Sequence, residues 1–252
     1  MVTEAPPTAP GTPAGDRFEL VVFGAASLRD ALAAIKAVYE ADHPEVTITV
    51  AADSSAALRT QIEQGALADV FLSADTLNPQ RLVEAGLTTG PALEFASNAV
   101  ALVVPLANPA GIEAPVDIVR PGTKVVAAGE DVPITIYTAM VVAAVASTPG
   151  YPAGFVAAYE ANVVSREANV RAVLTKIELG EADAGFVYVT DAVASSQVRV
   201  IPLPPGTNVA ARYAGVVLGD AVRPAEAARF LAWIAGPDGQ AVLVRFGFGP
   251  LA

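Results

Sequence analysis

Two serines stand where a strand-like run gives way to a helical pattern. Ser27 follows Phe18 to Phe23 (FELVVF) and the small residues Gly24, Ala25 and Ala26, and Ser55 follows Glu45 to Val50 (EVTITV), Asp53 and Ser54. A helix start exposes N–H groups with no acceptor inside the helix and carries partial positive charge, so it can hold an anion without a cationic side chain. The strand ends of a parallel sheet face one crevice, so two such junctions can converge there. Each serine offers a hydroxyl and a nearby main-chain N–H. Both also read as ordinary N-caps, worth about 1 kcal/mol of helix stability each. Spacing alone leaves the two readings open.

Other chemistry is scarce. The 252 residues contain no cysteine, which removes disulfides, thiolate nucleophiles and cysteine metal sites. The single histidine, His43, lies in Ala41-Asp42-His43-Pro44-Glu45 and reads as an exposed loop residue, which argues against a histidine triad or a zinc site. Asp69 and Asp75 flank a short strand, with no second carboxylate pair to share acid–base work. There is no G-x-S-x-G elbow and no G-x-x-x-x-G-K phosphate loop. Lys and Arg number 15 against 26 Asp and Glu, a net charge of −11, which disfavours nucleic acid and anionic membrane surfaces as partners. Trp233, in a helix rich in Ala and Leu, reads as core, and so on its own does Tyr188. Arg171, at a helix start, reads as a surface residue as readily as an anion clamp.

The elements that must position these residues alternate. After the strand at Phe18 to Phe23, Leu28, Leu32, Ile35 and Tyr39 recur at helical spacing and predict a helix starting at Ser27. EVTITV predicts a second strand, Leu58 and Ile62 a helix closed by Gly65, Asp69 to Leu72 a third strand, and Pro79 to Ala85 a helix ended by Gly86. This βαβαβ order implies right-handed crossovers over a parallel sheet. Ala99 to Val104 predicts a strand leaving the first lobe. Lys124 to Ala128, Ala184 to Tyr188 and Val198 to Ile201 predict strands of a second lobe, with helices opened by Pro133, around Phe155 to Ala161, and through Val170, Leu174 and Ile177. Tyr213 to Leu218 returns the chain, and a helical end carries Phe230, Trp233 and Gln240 to Arg245. The expectation is an α/β protein of two lobes, residues 17–98 plus 208–252 and residues 99–207. Each is a mostly parallel sheet flanked by helices, and crossing strands near Ser97 to Val100 and Pro205 to Ala210 join them.

Residues 1–16 (MVTEAPPTAPGTPAGD) are Pro-, Ala- and Thr-rich, without apolar periodicity, and read as a disordered tether. They lack the charged start and apolar centre of a signal peptide. The expectation is a spacer behind a removed export signal, with a lipid-anchoring cysteine as one form of that signal. Although 53% of residues are hydrophobic, no apolar stretch approaches the roughly 20 residues of a membrane helix.

The residues Gly24-Ala25-Ala26-Ser27-Leu28, Asp53 to Ile62 (DSSAALRTQI) and Ala68 to Asp75 (ADVFLSAD) resemble those of molybdate-binding receptors of ABC transporters. The likeness continues through Val132-Pro133-Ile134-Thr135-Ile136-Tyr137, Asn169-Val170-Arg171-Ala172, Gly185 to Ala192 (GFVYVTDA) and Phe246-Gly247-Phe248. It covers essentially everything after residue 16, in order. The resemblance implies a two-lobed extracytoplasmic receptor, not an enzyme, that closes over one tetrahedral oxyanion and delivers it to a membrane permease. It implies a monomer with no resident cofactor and with molybdate or tungstate as ligand. Carried over residue by residue, it implies a binding set of Ser27 and Ser55 (hydroxyl and main chain), Ile134 and Val170 (main-chain N–H) and Tyr188 (phenolic O–H). At Ile134 many relatives have a smaller residue. Ser54, beside Ser55, would take its role after a one-residue slip. The alternatives are a receptor for another oxyanion such as sulfate, and an enzyme on the same fold.

Overall fold

The computed structural model describes residues 17–250, so the tether expected at residues 1–16 lies outside the described residues. The first lobe begins as the apolar pattern predicts. Strand β1 (Phe18–Ala25) pairs in parallel with β2 (Val46–Asp53) and β3 (Val70–Ser73). Helices α1 (Arg29–Asp42), α2 (Ser55–Glu63) and α3 (Leu77–Glu84) follow these strands in turn. α1 buries Ala31, Leu32, Ile35 and Tyr39, one face at helical spacing. The chain does not enter α1 at Ser27. Ala26–Leu28 first form a 3-10 turn, which places Ser27 buried at the strand end before the α-helix starts at Arg29.

The long strand β4 (Leu93–Pro105) leaves this lobe and enters the next. Leu93 to Ala99 pair antiparallel with β9 (Ala210–Val217), and from Val100 onward the same strand pairs antiparallel with β7 (Ala184–Tyr188) and β8 (Val198–Ile201). The change of partner falls between Ala99 and Val100, inside the crossing segment the sequence suggests. β9 pairs antiparallel with β3, which completes a sheet that, with β5 (Val125–Ala128) and β6 (Val163–Glu167), runs in the order β2-β1-β3-β9-β4-β7-β5-β6, with β8 beside β4. β4 and β9 are thus antiparallel to their neighbours among otherwise parallel strands. In the second half, β5 runs parallel to β7 and to β6. β6 was not anticipated, because Val163-Val164-Ser165-Arg166-Glu167 is short, polar at its end and continuous with the preceding helix.

Helices α4 (Pro133–Ala146), α5 (Phe155–Asn162), α6 (Val170–Glu178) and the short α7 (Val189–Ala194) flank this half. Pro133 occupies the first turn of α4, where its missing N–H costs nothing. Helices α8 (Pro224–Ala235) and α9 (Pro237–Arg245) return to pack on the first lobe, burying Phe230, Ile234, Val242 and Leu243. Trp233 lies at the edge of that core, its ring 5.3 Å from Tyr39. His43 is not a free loop residue as expected. Its ring stacks on Tyr39 at 4.0 Å and Nδ1 meets the Tyr39 carbonyl at 3.0 Å, because α1 ends directly beneath it. Among the described residues, no helix is long and apolar enough to cross a membrane.

Candidate anion-binding site

The starts of α2, α4 and α6 and the 3-10 turn after β1 converge between the two halves of the sheet. They enclose a cavity of about 210 Å³, its mouth included, lined by Ala25, Ser27, Ser54, Ser55, Ala74, Ile134, Asn169, Val170 and Tyr188 among others. All five residues of the expected binding set line this one space. Each is at least 97% buried. Among the described residues, no charged side chain lines it.

The local structure explains why donors are left over. Ser54, not Ser55, caps α2: its Oγ accepts the Ala57 N–H at 3.2 Å. Ser55 is the first helical residue, and its Oγ accepts the Ala74 N–H at 3.0 Å. Its acceptor side is engaged from the residue that follows β3, and its own proton remains for a guest. Asn169 caps α6 by accepting the Ala172 N–H at 3.1 Å, which satisfies the third amide of the helix and leaves that of Val170. No side chain caps α4, so the Ile134 N–H also has no acceptor within its helix. The isoleucine side chain is 1% exposed and packs into the core, so its bulk is accommodated away from the amide.

Tyr188 ends β7, and its hydroxyl is buried without a hydrogen-bond partner among the described residues. A buried phenol with no acceptor is costly, and few native hydroxyls are left so. Burial, with the neighbouring Tyr213, Tyr137, Asp191 and Asp75, holds its pKa well above the ordinary phenol value, so it keeps its proton and has it to donate. Ser27 Oγ lies 2.8 Å from the hydroxyl of Tyr213, on β9. The cavity therefore offers neutral donors and helix N-termini from opposite sides.

The remaining candidates are placed elsewhere. Asp69 accepts the Val21 and Val222 N–H groups at 2.8 and 2.9 Å, tying β3 to its neighbours. Asp75 accepts from Ser73 Oγ and from both nitrogens of Asn78. Arg171 is neither a surface residue nor an anion clamp. Its guanidinium pairs with Asp30 of α1 and lies 2.9 Å from the fully buried Asp191, so two carboxylates balance its charge. Asp191 also accepts the Tyr188 N–H at 3.2 Å. Burial raises its pKa to about 6, against the opposing pull of Arg171 and that N–H. A second bond across the cleft joins Asn169 Nδ2 to Asp53 Oδ1 at 2.9 Å. Tyr213, whose hydroxyl lies 3.3 Å from Asn98 Nδ2, and the Ser54 cap adjoin the expected set and stand outside it. Only the cap carried a visible signal, an Asp-Ser-Ser run before a helix.

The family model for bacterial extracellular solute-binding proteins matches residues 20–249. The chain belongs to that family. Among its relatives, the molybdate-binding protein ModA of Mycobacterium tuberculosis H37Rv is 35% identical over 247 residues, covering 98% of this chain and 90% of that protein. This solute-binding protein also shares its fold with solved structures. The periplasmic molybdate-binding protein of Azotobacter vinelandii aligns with a TM-score of 0.77 at 20% identity, covering 92% of this chain and all of the other. The sulfate-binding protein SubI of M. tuberculosis H37Rv aligns at 0.79 and 19%, covering 92% and 87%. The fold thus serves more than one tetrahedral oxyanion, and the identity of the guest rests with the site.

Proposed function

We propose that this chain is an extracytoplasmic receptor that captures molybdate, or the nearly identical tungstate, between its lobes and delivers it to an ABC permease, without catalysing a reaction. The observation that carries the reading is the buried, unpartnered Tyr188 hydroxyl facing the same cavity as Ser27 and Ser55. Ser27 and Ser55 give a hydroxyl and main-chain N–H each, Ile134 and Val170 an N–H each, and Tyr188 its phenolic O–H. A ring of donors with no carboxylate to accept a proton prefers a fully deprotonated dianion and disfavours phosphate, which keeps a proton near neutral pH. Sulfate matches molybdate in charge and shape but is smaller, so cavity size must separate them.

Neutral donors suffice energetically. A hydrogen bond to a charged group contributes about 1.5–3 kcal/mol, and binding needs roughly 8 kcal/mol at micromolar and 12 at nanomolar affinity. Several donors acting together reach that range. Inside a dry cavity, oriented amides outweigh the distant net charge of −11. The lobes in this reading are residues 17–98 plus 208–252 and residues 99–207. Closure is a population shift favoured by contacts that the guest makes to both.

Titration calorimetry with molybdate, tungstate, sulfate and phosphate tests the assignment. The expected result is one-to-one binding of molybdate and tungstate, with sulfate weaker by at least about a hundredfold and phosphate weaker still. The 19%-identical sulfate-binding neighbour makes sulfate the competing reading, and tighter binding of sulfate than of molybdate would establish it.

A further inference from the structure

Of the hydroxyls that face the cavity from Ser27, Ser55 and Tyr188, only that of Ser27 has two places to send its proton. Its Oγ lies 2.8 Å from Tyr213 Oη, and on distance alone either oxygen can donate. Asn98 decides between them. Its Oδ1 accepts the Ala99 N–H at 2.9 Å, which fixes the orientation of the amide. Its Nδ2 therefore donates to Thr190 Oγ1 at 2.9 Å and to Tyr213 Oη at 3.3 Å. An amide nitrogen cannot accept, so Tyr213 is the acceptor toward Asn98. The proton of this buried phenol then has one acceptor in reach, Ser27 Oγ, and a buried donor left unpaired is costly.

We infer that Asn98 and Tyr213 are positioning residues that fix the direction of the hydrogen bond at Ser27. Building on the oxyanion reading above, they make Ser27 an obligate donor to the guest. Neither lines the cavity. They sit on β4, the strand that runs from one half of the sheet into the other, and on its neighbour β9, and Thr190 follows Tyr188 at the start of α7. The chain Asn98 to Tyr213 to Ser27 thus connects β4 and β9 to the first-lobe donor. A guest that carries a proton at that oxygen meets a second proton, and a bare oxyanion meets a ready donor.

A double-mutant cycle read by molybdate calorimetry tests this, using Tyr213→Phe, Ser27→Ala and the double variant. Tyr213→Phe removes only Oη and keeps the ring among Phe95, Tyr188 and Phe248. The expected loss of affinity is about three- to tenfold with Ser27 present and less than about twofold in the Ser27→Ala background. A general distortion of the fold would be felt equally in both backgrounds, so equal losses overturn the inference, as does an unchanged affinity for folded Tyr213→Phe. Asn98→Ala taken through the same cycle gives a second reading should Tyr213→Phe not fold. A loss confined to the Ser27 background supports the wiring and an additive loss overturns it. A wild-type chain that binds neither molybdate nor sulfate overturns the oxyanion reading itself, and the wiring with it. Molybdate binding with additive losses overturns the wiring alone.

Discussion

Ser55 stands one position inside α2, and that single residue separates a capping serine from one that can serve a guest. Ser54 takes the cap on Ala57, and the Ala74 N–H occupies the acceptor side of Ser55. Ser55→Ala and Tyr188→Phe should therefore each weaken molybdate binding by about one to two decades, Ser55→Ala with a stability loss of about 1–3 kcal/mol because the buried Ala74 N–H loses its acceptor, and Tyr188→Phe with no such loss. Calorimetry of each variant beside a denaturant titration checks both halves of that expectation. The serine pair was legible in the sequence because helix starts announce themselves through Asp, Ser and Asn. Tyr213 was not, because a tyrosine on an apolar strand looks the same whether its hydroxyl is idle or wired. Asp191 carries a pH signature. Burial first, opposed by Arg171 and the Tyr188 N–H, raises its pKa from 3.8 to about 6. Between those values the folded chain holds a proton that the unfolded chain has released. The contribution is therefore present on the acid side and is lost as pH rises through about 6, in total about 3 kcal/mol. Asp191→Asn should abolish this slope. Unfolding free energies from pH 4 to 8 should show wild type losing ground to the variant between pH 4 and 6 and a constant difference above about pH 7.

The elements bring these residues together by a simple rule: each strand ends at the cavity and each following helix begins there. Periodicity placed β1, β2, α4, α6, β7 and β8 to within a few residues, because their apolar faces are regular. It missed the 3-10 turn at Ala26–Leu28, since a tight turn and an α-helical first turn share the same small residues. It also missed β6 and the antiparallel placement of β4 and β9, because strand direction depends on where the chain returns and no local pattern encodes it. Across the cleft, α6 meets α1 through the pair of Arg171 with Asp30. Asp30 is 43% exposed, so the pair belongs near the modest end, about 0.2–1 kcal/mol. Under the proposed lobe division it joins elements of opposite lobes, so its energy would accrue to the proposed closed state. Asp30→Ala should accelerate molybdate release by up to about fivefold with little change in association rate. Stopped-flow kinetics decides this, and an unchanged or slower release would contradict it.

At the scale of the whole molecule, the protein is a net-negative chain that presents an anion with a lining free of charged side chains. Distant carboxylates are screened by solvent, whereas amides and hydroxyls fixed at helix starts act at contact distance in a space without bulk water. Two-lobed order and helix-start chemistry were both readable in the sequence, whereas the closing contacts were not. Asn169 with Asp53 and Arg171 with Asp30 pair residues more than 110 positions apart, beyond any local pattern. The fold alone is shared with a sulfate-binding protein at a TM-score of 0.79, so the guest must be located directly. The most direct measurement is a crystal structure with molybdate, using anomalous scattering to find the molybdenum. The account predicts one peak inside the cavity, with oxygens at hydrogen-bonding distance from the hydroxyls of Ser27, Ser55 and Tyr188 and from the N–H groups of Ile134 and Val170. A molybdenum bound away from these donors, or an empty cavity at saturating molybdate, would contradict it.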